Sequence, residues 1–338
     1  MTVSSEPPAW GSFLARSAGA TLLHDPRWGL VMQEAYGNRP FYLTARRGGR
    51  VVGILQLVLQ KSLLFGTRLS SLPYFDASGV LADDPAAARA LLAEAEAVRR
   101  ETRARWVELR HEAPLAADLP TRTDKVTLRL LLPEDPETLW AALKAKVRNQ
   151  VRKAERMGLS LHGPGEATLG EFHAVYVRTM RDLGSPPHGR RFFEVIRGHF
   201  GEAVRLYAVR QGERPLAAAF TLTDAAAVRV PWAAADHRFR SLNANMLLYW
   251  GMLKEACARG AGCFDFGRST RGSGTHRFKR QWGAEEVPLH WQYLAAEQGD
   301  VPSLDPDRGL MRWATAAWRR LPVGVARVVG PRLIAKLA

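Results

Sequence analysis

Residues 206–224 read LYAVRQGERPLAAAFTLTD. Two apolar runs flank a short polar turn at Gly212, the pattern of two strands joined in a hairpin. Residues 41–60, FYLTARRGGRVVGILQLVLQ, have the same form, with Gly48-Gly49 at the turn. At a shift of 164 residues Arg46 meets Arg210, Gly48 meets Gly212 and Arg50 meets Arg214. Each hairpin precedes a helix and a returning strand. In the first half the helix is DDPAAARALLAEAEAVRRETRA, which Asp83 or Asp84 can cap and Pro85 can open. Its returning strand is RWVELRHE, at 105–112. In the second half a helix over 244–259 leads to CFDFG. This recurrence predicts an α/β (α+β) chain of two related units.

The chain has 338 residues, more than one ordinary core needs and enough for two. Pro114 and Pro120 flank a linker, so domains are expected at 1–118 and 119–297, with a basic tail at 298–338. A net charge of +15 calls for an anionic partner: nucleic acid, a phosphorylated substrate or a membrane face. No helix-turn-helix pattern speaks for DNA. Cys257 and Cys263 make neither a disulfide framework nor a metal site, and the nine histidines lack ligand spacing, so no metal is expected. A reducing cytoplasm fits. Neither a signal peptide nor an 18-residue apolar run is present.

Three basic segments stand out. ETLWAALKAKVRNQVRKAERMGL predicts one helix, with Leu139, Leu143, Val147, Val151 and Ala154 on an apolar stripe. Lys144, Arg148, Arg152 and Arg156 form another stripe, and Glu155 is the only acid after Glu137. Unpaired cations repel by a few tenths of a kcal/mol per pair, so this stripe is either a solvated face or an anion site. The tail 311–338 has six basic residues, two tryptophans and no acid, which suits either packing on the second domain or contact with an anionic membrane. Pro322 and Pro331 are expected to divide it. Residues 267–283, GRSTRGSGTHRFKRQWG, hold four glycines, six basic residues counting His276, and no acid. No helix is expected to open there, which removes a dinucleotide fingerprint, and GxxxxGK[ST] is absent.

The doubled unit resembles the GNAT acyltransferase fold, in which a loop after a splayed strand holds the pyrophosphate of coenzyme A. The matching loop is DHRFRSLNANMLLYW. Arg240 stands where that pattern has its leading Arg, but Asn243 and Asn245 replace both small residues. Asn tolerates positive φ, yet its side chain takes up room beside a phosphate.

Three blocks, KVRNQVRKAERMGL, DHRFRSLNANMLLYWGMLKEACARGAGCFDFGRS and HRFKRQWGAE, resemble the Fem family of non-ribosomal peptidyltransferases and the broader CelD/BioF-like group. They are most similar to the Fem-like proteins of exosortase (PEP-CTERM) and exopolysaccharide loci. The resemblance is good over 140–338 and extends to 1–120 only in plan. It implies two tandem GNAT-like domains with mixed twisted sheets. It also implies transfer of an acyl or aminoacyl group, from aminoacyl-tRNA or acyl-CoA, to an amine of an anionic cell-envelope or polysaccharide precursor. No tightly bound cofactor is implied. Lys279 corresponds to the family's lysine near the reacting carbonyl, Phe278 to the residue that positions it, and Trp282 to the second aromatic. Arg268, Arg271 and Arg277 are expected to bind anionic parts of donor or acceptor. Arg240, Asn243 and Asn245 line the coenzyme loop, and Arg148 and Arg152 hold a diphosphate or a nucleic-acid backbone. Asp265, Tyr207, Tyr249 and His276 are further candidates, none with a secure role. No tRNA-binding helical arm is present. Two rival readings stay open: an acyl-CoA acetyltransferase acting on a sugar amine, and a non-catalytic RNA- or membrane-binding scaffold.

Overall fold

The structure, a computed structural model, describes residues 1–62, 66–116, 118–295 and 310–337. The chain first forms β1 (Thr2–Ser4), α1 (Gly11–Arg16), α2 (Arg27–Tyr36), β2 (Arg39–Arg47), β3 (Arg50–Ser62), β4 (Gly66–Ser70), β5 (Leu81–Ala82), α3 (Pro85–Thr102), β6 (Trp106–His111) and β7 (Thr121–Arg122). It continues through β8 (Lys125–Leu131), α4 (Pro136–Ala142), α5 (Ala145–Arg156), β9 (Leu159–His162), α6 (Leu169–Leu183), α7 (Arg190–Phe200), β10 (Val204–Gln211), β11 (Arg214–Thr223) and β12 (Ala227–Ala235). Then come α8 (Ala244–Ala258), β13 (Cys263–Thr270), α9 (Gly274–Arg280), β14 (Glu285–Pro288), β15 (His290–Ala295), α10 (Leu310–Arg319) and α11 (Val323–Leu337).

Two compact units result. Among the described residues the first holds Met1–Lys125, β15 and the last residues from Leu333; the second holds Val126–Val287 and the chain from α10 to Arg332. The expected head-to-tail division is therefore corrected. The chain passes between units at 125/126, not 118/119, and β15 belongs to the first sheet. Its pairing with β6, from His290↔His111 to Ala295↔Trp106, joins segments far apart in sequence, which no local pattern announces. The expected boundary at 297/298 lies outside the described residues.

The first sheet runs β1-β2-β3-β4-β6-β15-β7, with β5 on β3; β4 and β6 are parallel. Helix α3 places Leu91, Ala95 and Val98 against Leu43, Leu55, Leu57 and Val107. Asp84 caps it through the amides of Ala86 and Ala87, with Pro85 in its first turn. The second sheet runs β14-β8-β13-β12-β11-β10-β9. Helix α8 packs on β10 and β11 and is covered by α5, so Met246, Leu248, Met252 and Leu253 are all buried.

The two hairpins share one register. In β2–β3 the ladder shifts between Ala45↔Gly53 and Arg46↔Val51. In β10–β11 it shifts between Val209↔Ala217 and Arg210↔Pro215. All four partners differ by 164, so both copies carry the same bulge.

Two local expectations change. The segment 137–158 is two helices, because Leu143 and Lys144 adopt extended ψ of 143° and 141°. The break turns Trp140 onto Trp250, with ring centroids 4.5 Å apart, while Leu143 and Val147 stay buried. Pro331 does not divide the tail. It lies within α11, which forgoes one amide donor there; Pro322 does separate α10 from α11.

Candidate active site

The parallel strands β12 and β13 pair only from Ala227↔Cys263 to Arg229↔Asp265, and then part. Two residues of β12, Val230 and Pro231, stand opposite the single residue Thr221 of β11, a bulge that bends the strand. Pro231 has no amide to donate. On the other strand Gly267 has φ +74°, and a Cβ there would lie 2.9 Å from the Val230 carbonyl oxygen. Only glycine fits this left-handed turn against backbone. Asp265 ties the turn down: it accepts from the Gly267 amide at 2.8 Å, from the Thr127 hydroxyl, and from Arg129 Nε at 3.2 Å. It is a satisfied structural carboxylate, paired with Arg129.

Strand β13 continues to Thr270, and α9 opens directly beyond it. This overturns the expectation that no helix follows. Ser273 caps α9 by accepting from the His276 amide at 3.2 Å. The helix turns Lys279 inward. Its side chain is 8% exposed, and Nζ donates to the carbonyls of Gly267 at 2.7 Å and Arg268 at 2.9 Å. The ammonium therefore sits where β12 and β13 separate. Phe278 meets Tyr249 edge-on at 5.0 Å, and Trp282 is buried in the same core. These two aromatics anchor α9.

Glu286, which the sequence reading missed, reorganises the cations of this loop. It accepts from Arg271 Nε at 3.0 Å, Arg280 at 3.1 Å and the His276 ring at 2.8 Å. These donors hold its carboxyl down at about 2. Arg277 donates to the Gly272 carbonyl. Arg271, His276 and Arg277 thus shape the loop, and Arg268 remains exposed on its strand. The only signal for Glu286 was an acid soon after a purely basic run.

The start of α8 is the second feature. Asp236 follows β12, accepts from the Arg238 amide, and pairs with Arg238 and Arg178. Asn243 takes φ 58° and ψ 31°, and α8 begins with no side-chain cap. Its amides and dipole therefore present positive potential. Arg240 is exposed beside this start with no acidic partner among the described residues, and Asn245 is half-buried in the first turn.

Other candidates lie elsewhere. Arg148 donates to the carbonyls of Trp140 and Ala141, closing the end of α4. Arg152 lies over the Trp140 ring at 5.5 Å. Burial raises the Tyr249 phenol, and burial with nearby Glu255 raises that of Tyr207, so both stay protonated at neutral pH.

Residues 141–280 match the family described as an acetyltransferase (GNAT) domain. Among solved structures the chain is similar to FemX, at 16% identity over 87% of this chain and 98% of that one, with a TM-score of 0.64. It is similar to L-PGS from Bacillus licheniformis, at 12% over 99% of each chain and a TM-score of 0.55. It is also similar to a tandem GNAT protein from the clavulanic acid biosynthesis pathway, at 16% over 79% and 84%, with a TM-score of 0.50. No curated protein gives a significant match. At such identities the structural likeness establishes the fold: two mixed α/β units on the GNAT plan. The matched domain adds the chemistry. The chain is an acyltransferase. In this fold an acyl-coenzyme A is a substrate, consumed at each turnover, not a resident cofactor.

Proposed function

We propose that this acyltransferase is of the Fem type. It moves an acyl or aminoacyl group onto an amine of an anionic cell-envelope or exopolysaccharide precursor, in the cytoplasm at the inner face of the membrane. The observation that carries the reading is the parting of β12 from β13 with the Lys279 ammonium held at the fork. Beyond Arg229 the β12 edge has no strand partner on that side among the described residues, so an extended donor can lie along it. The acceptor nitrogen attacks the donor's ester or thioester carbon. The C–N bond forms, the carbonyl oxygen becomes an oxyanion, and its collapse expels the donor's alcohol or thiol. The amine's proton leaves with that group or to water. A fixed cation at the oxyanion contributes a few kcal/mol. Lys279 takes that part, Phe278 and Trp282 set its place through the packing of α9, and Arg240 and Arg268 hold anionic parts of the substrates. Similarity to FemX and L-PGS supports an aminoacyl donor or an envelope precursor.

A second reading, an acyl-CoA donor and a sugar-amine acceptor, is favoured by Asn243. It keeps the left-handed φ that a phosphate-binding turn needs, despite its side chain. Calorimetric titration of the purified protein with coenzyme A separates the two. Micromolar binding selects the second, whereas no binding together with transfer from aminoacyl-tRNA selects the first. In cells Lys279→Met, checked for folding by circular dichroism, is expected to abolish the envelope or polysaccharide product. An unchanged product sinks the catalytic role and leaves a binding scaffold.

A further inference from the structure

Large apolar side chains exposed on the described surface are not scattered. Of nine such residues, five lie on α10, α11 and the end of α6: Leu183, Trp313, Val325, Val328 and Val329. Isolated exposed apolar residues need no explanation, but a cluster does. All five belong to the second unit.

The helices show why these residues face outward. In α11 the inner face carries Ala326, fully buried, and Gly330, where an added Cβ would come within 2.4 Å of the Pro187 ring. Val325, Val328, Val329 and Arg332 follow the i, i+3, i+4, i+7 spacing, so they share the opposite face. In α10 Trp318 is buried, whereas Trp313, Ala317 and Arg320, at i, i+4 and i+7, are exposed. Trp313 is 72% exposed, too much for a residue whose role is packing. Leu183 lies beside α10, on the side of Thr315 and Arg319. Its carbonyl accepts from Arg319 at 3.4 Å, and Gly184 beside it abuts Thr315 of α10.

Charge identifies the occupant. Residues 310–338 hold no Asp or Glu. Arg312, Arg320, Arg327 and Arg332 are exposed and have no acidic partner among the described residues. Aliphatic side chains, one tryptophan and a surround of arginines match a bilayer interface with anionic headgroups. There the apolar groups enter the acyl boundary and each cation gains from the surface potential. No helix among the described residues is long and apolar enough to cross a membrane, so contact at the surface is the mode available to this face.

We infer that the exposed faces of α10 and α11 form a docking surface for an anionic phospholipid bilayer. This deepens the membrane location proposed above by naming the surface, and it does not depend on the transfer chemistry. The test is sedimentation of the purified full chain with vesicles of phosphatidylcholine alone or with about three in ten phosphatidylglycerol. Binding is expected only to the anionic vesicles and is weakened by salt. Arg312→Glu with Arg320→Glu and Arg332→Glu, and separately Trp313→Ser with Val328→Ser, should each weaken it at least about tenfold. These positions are exposed, so circular dichroism and coenzyme A titration should be unchanged. Failure of the wild type to bind, or full binding by both variants, overturns the surface while leaving the transferase reading intact. Retention of tRNA that both variants lose, without vesicle binding, overturns it in favour of an RNA face.

Discussion

The two hairpins of this chain are built to one plan, with the same bulge at the same register, yet the helices that follow begin differently. Helix α3 in the first unit starts on Asp84, whose carboxylate accepts from two first-turn amides and pairs with Arg47 at 3.0 Å. Helix α8 in the second starts on left-handed Asn243 with no side-chain cap. One helix start carries its own anion, and the other has no side-chain cap to offset its positive potential. The strands differ as well. Glu108 on β6 is locked by Arg110 and accepts from the Tyr293 hydroxyl of β15, so β6 is bound along its length. In the second unit β12 and β13 part after three pairs. Both copies share the frame, and in both the parallel strands part early, β4 from β6 after two pairs. In the first unit the amides of Ser71 and Ser78 then bond to the β6 carbonyls of Glu108 and Arg110.

The sharpest way to break that contrast is Gly267→Ala. The left-handed φ and the clash with the Val230 carbonyl should cost about 3 kcal/mol in urea unfolding and remove activity. Gly48→Ala in the first hairpin turn has open space, and should cost only about 1 kcal/mol with activity intact. Next is Lys279→Met, which strips the donor from two carbonyls and should cost about 2 kcal/mol beyond its effect on transfer.

Glu286→Gln should cost about 1 kcal/mol, because three donors lose their charge partner. The sign with pH follows from its lowered carboxyl, held at about 2 in the folded chain. The stabilisation is complete above the unfolded value of roughly 4.3 and is lost as pH falls towards about 2. The urea midpoints of wild type and variant should therefore converge over that interval. A gap that stays constant would show that the charge of Glu286 is not what matters.

The smallest effects separate binding from stability. Asp84→Ala should lower the urea midpoint slightly and leave donor binding unchanged. Arg240→Ala should weaken donor binding by about tenfold with no change in the urea midpoint. If Asp84→Ala weakens donor binding instead, the first unit also receives the donor.

Much of this was legible before the fold. The hairpins, the Asp84 cap and the buried stripe on α4 and α5 follow from short-range spacing, because the residues that interact are near neighbours. The candidate site was legible in part. Lys279, Phe278 and Trp282 were singled out; the structure carries them on and just after α9, Lys279 turned to the Gly267 and Arg268 carbonyls and the two aromatics into the core. The partners of Arg271 and Arg277, Glu286 and the Gly272 carbonyl, were not legible, because the turn of α9 and the pairing of β14 bring them close. Arg148 and Arg152 looked like a cationic face, but a break at Leu143 that no pattern marked turns them to the end of α4 and to Trp140.

Composition and periodicity were enough to establish a basic α/β chain with a doubled unit, since both depend on residues a few positions apart. Which strands part, which carboxylate meets which cation, that β15 returns to the first sheet, and that the valines of α11 face outward were decided by tertiary structure. Each depends on groups far apart in the chain, and no local pattern records what a folded neighbour will cover or leave open.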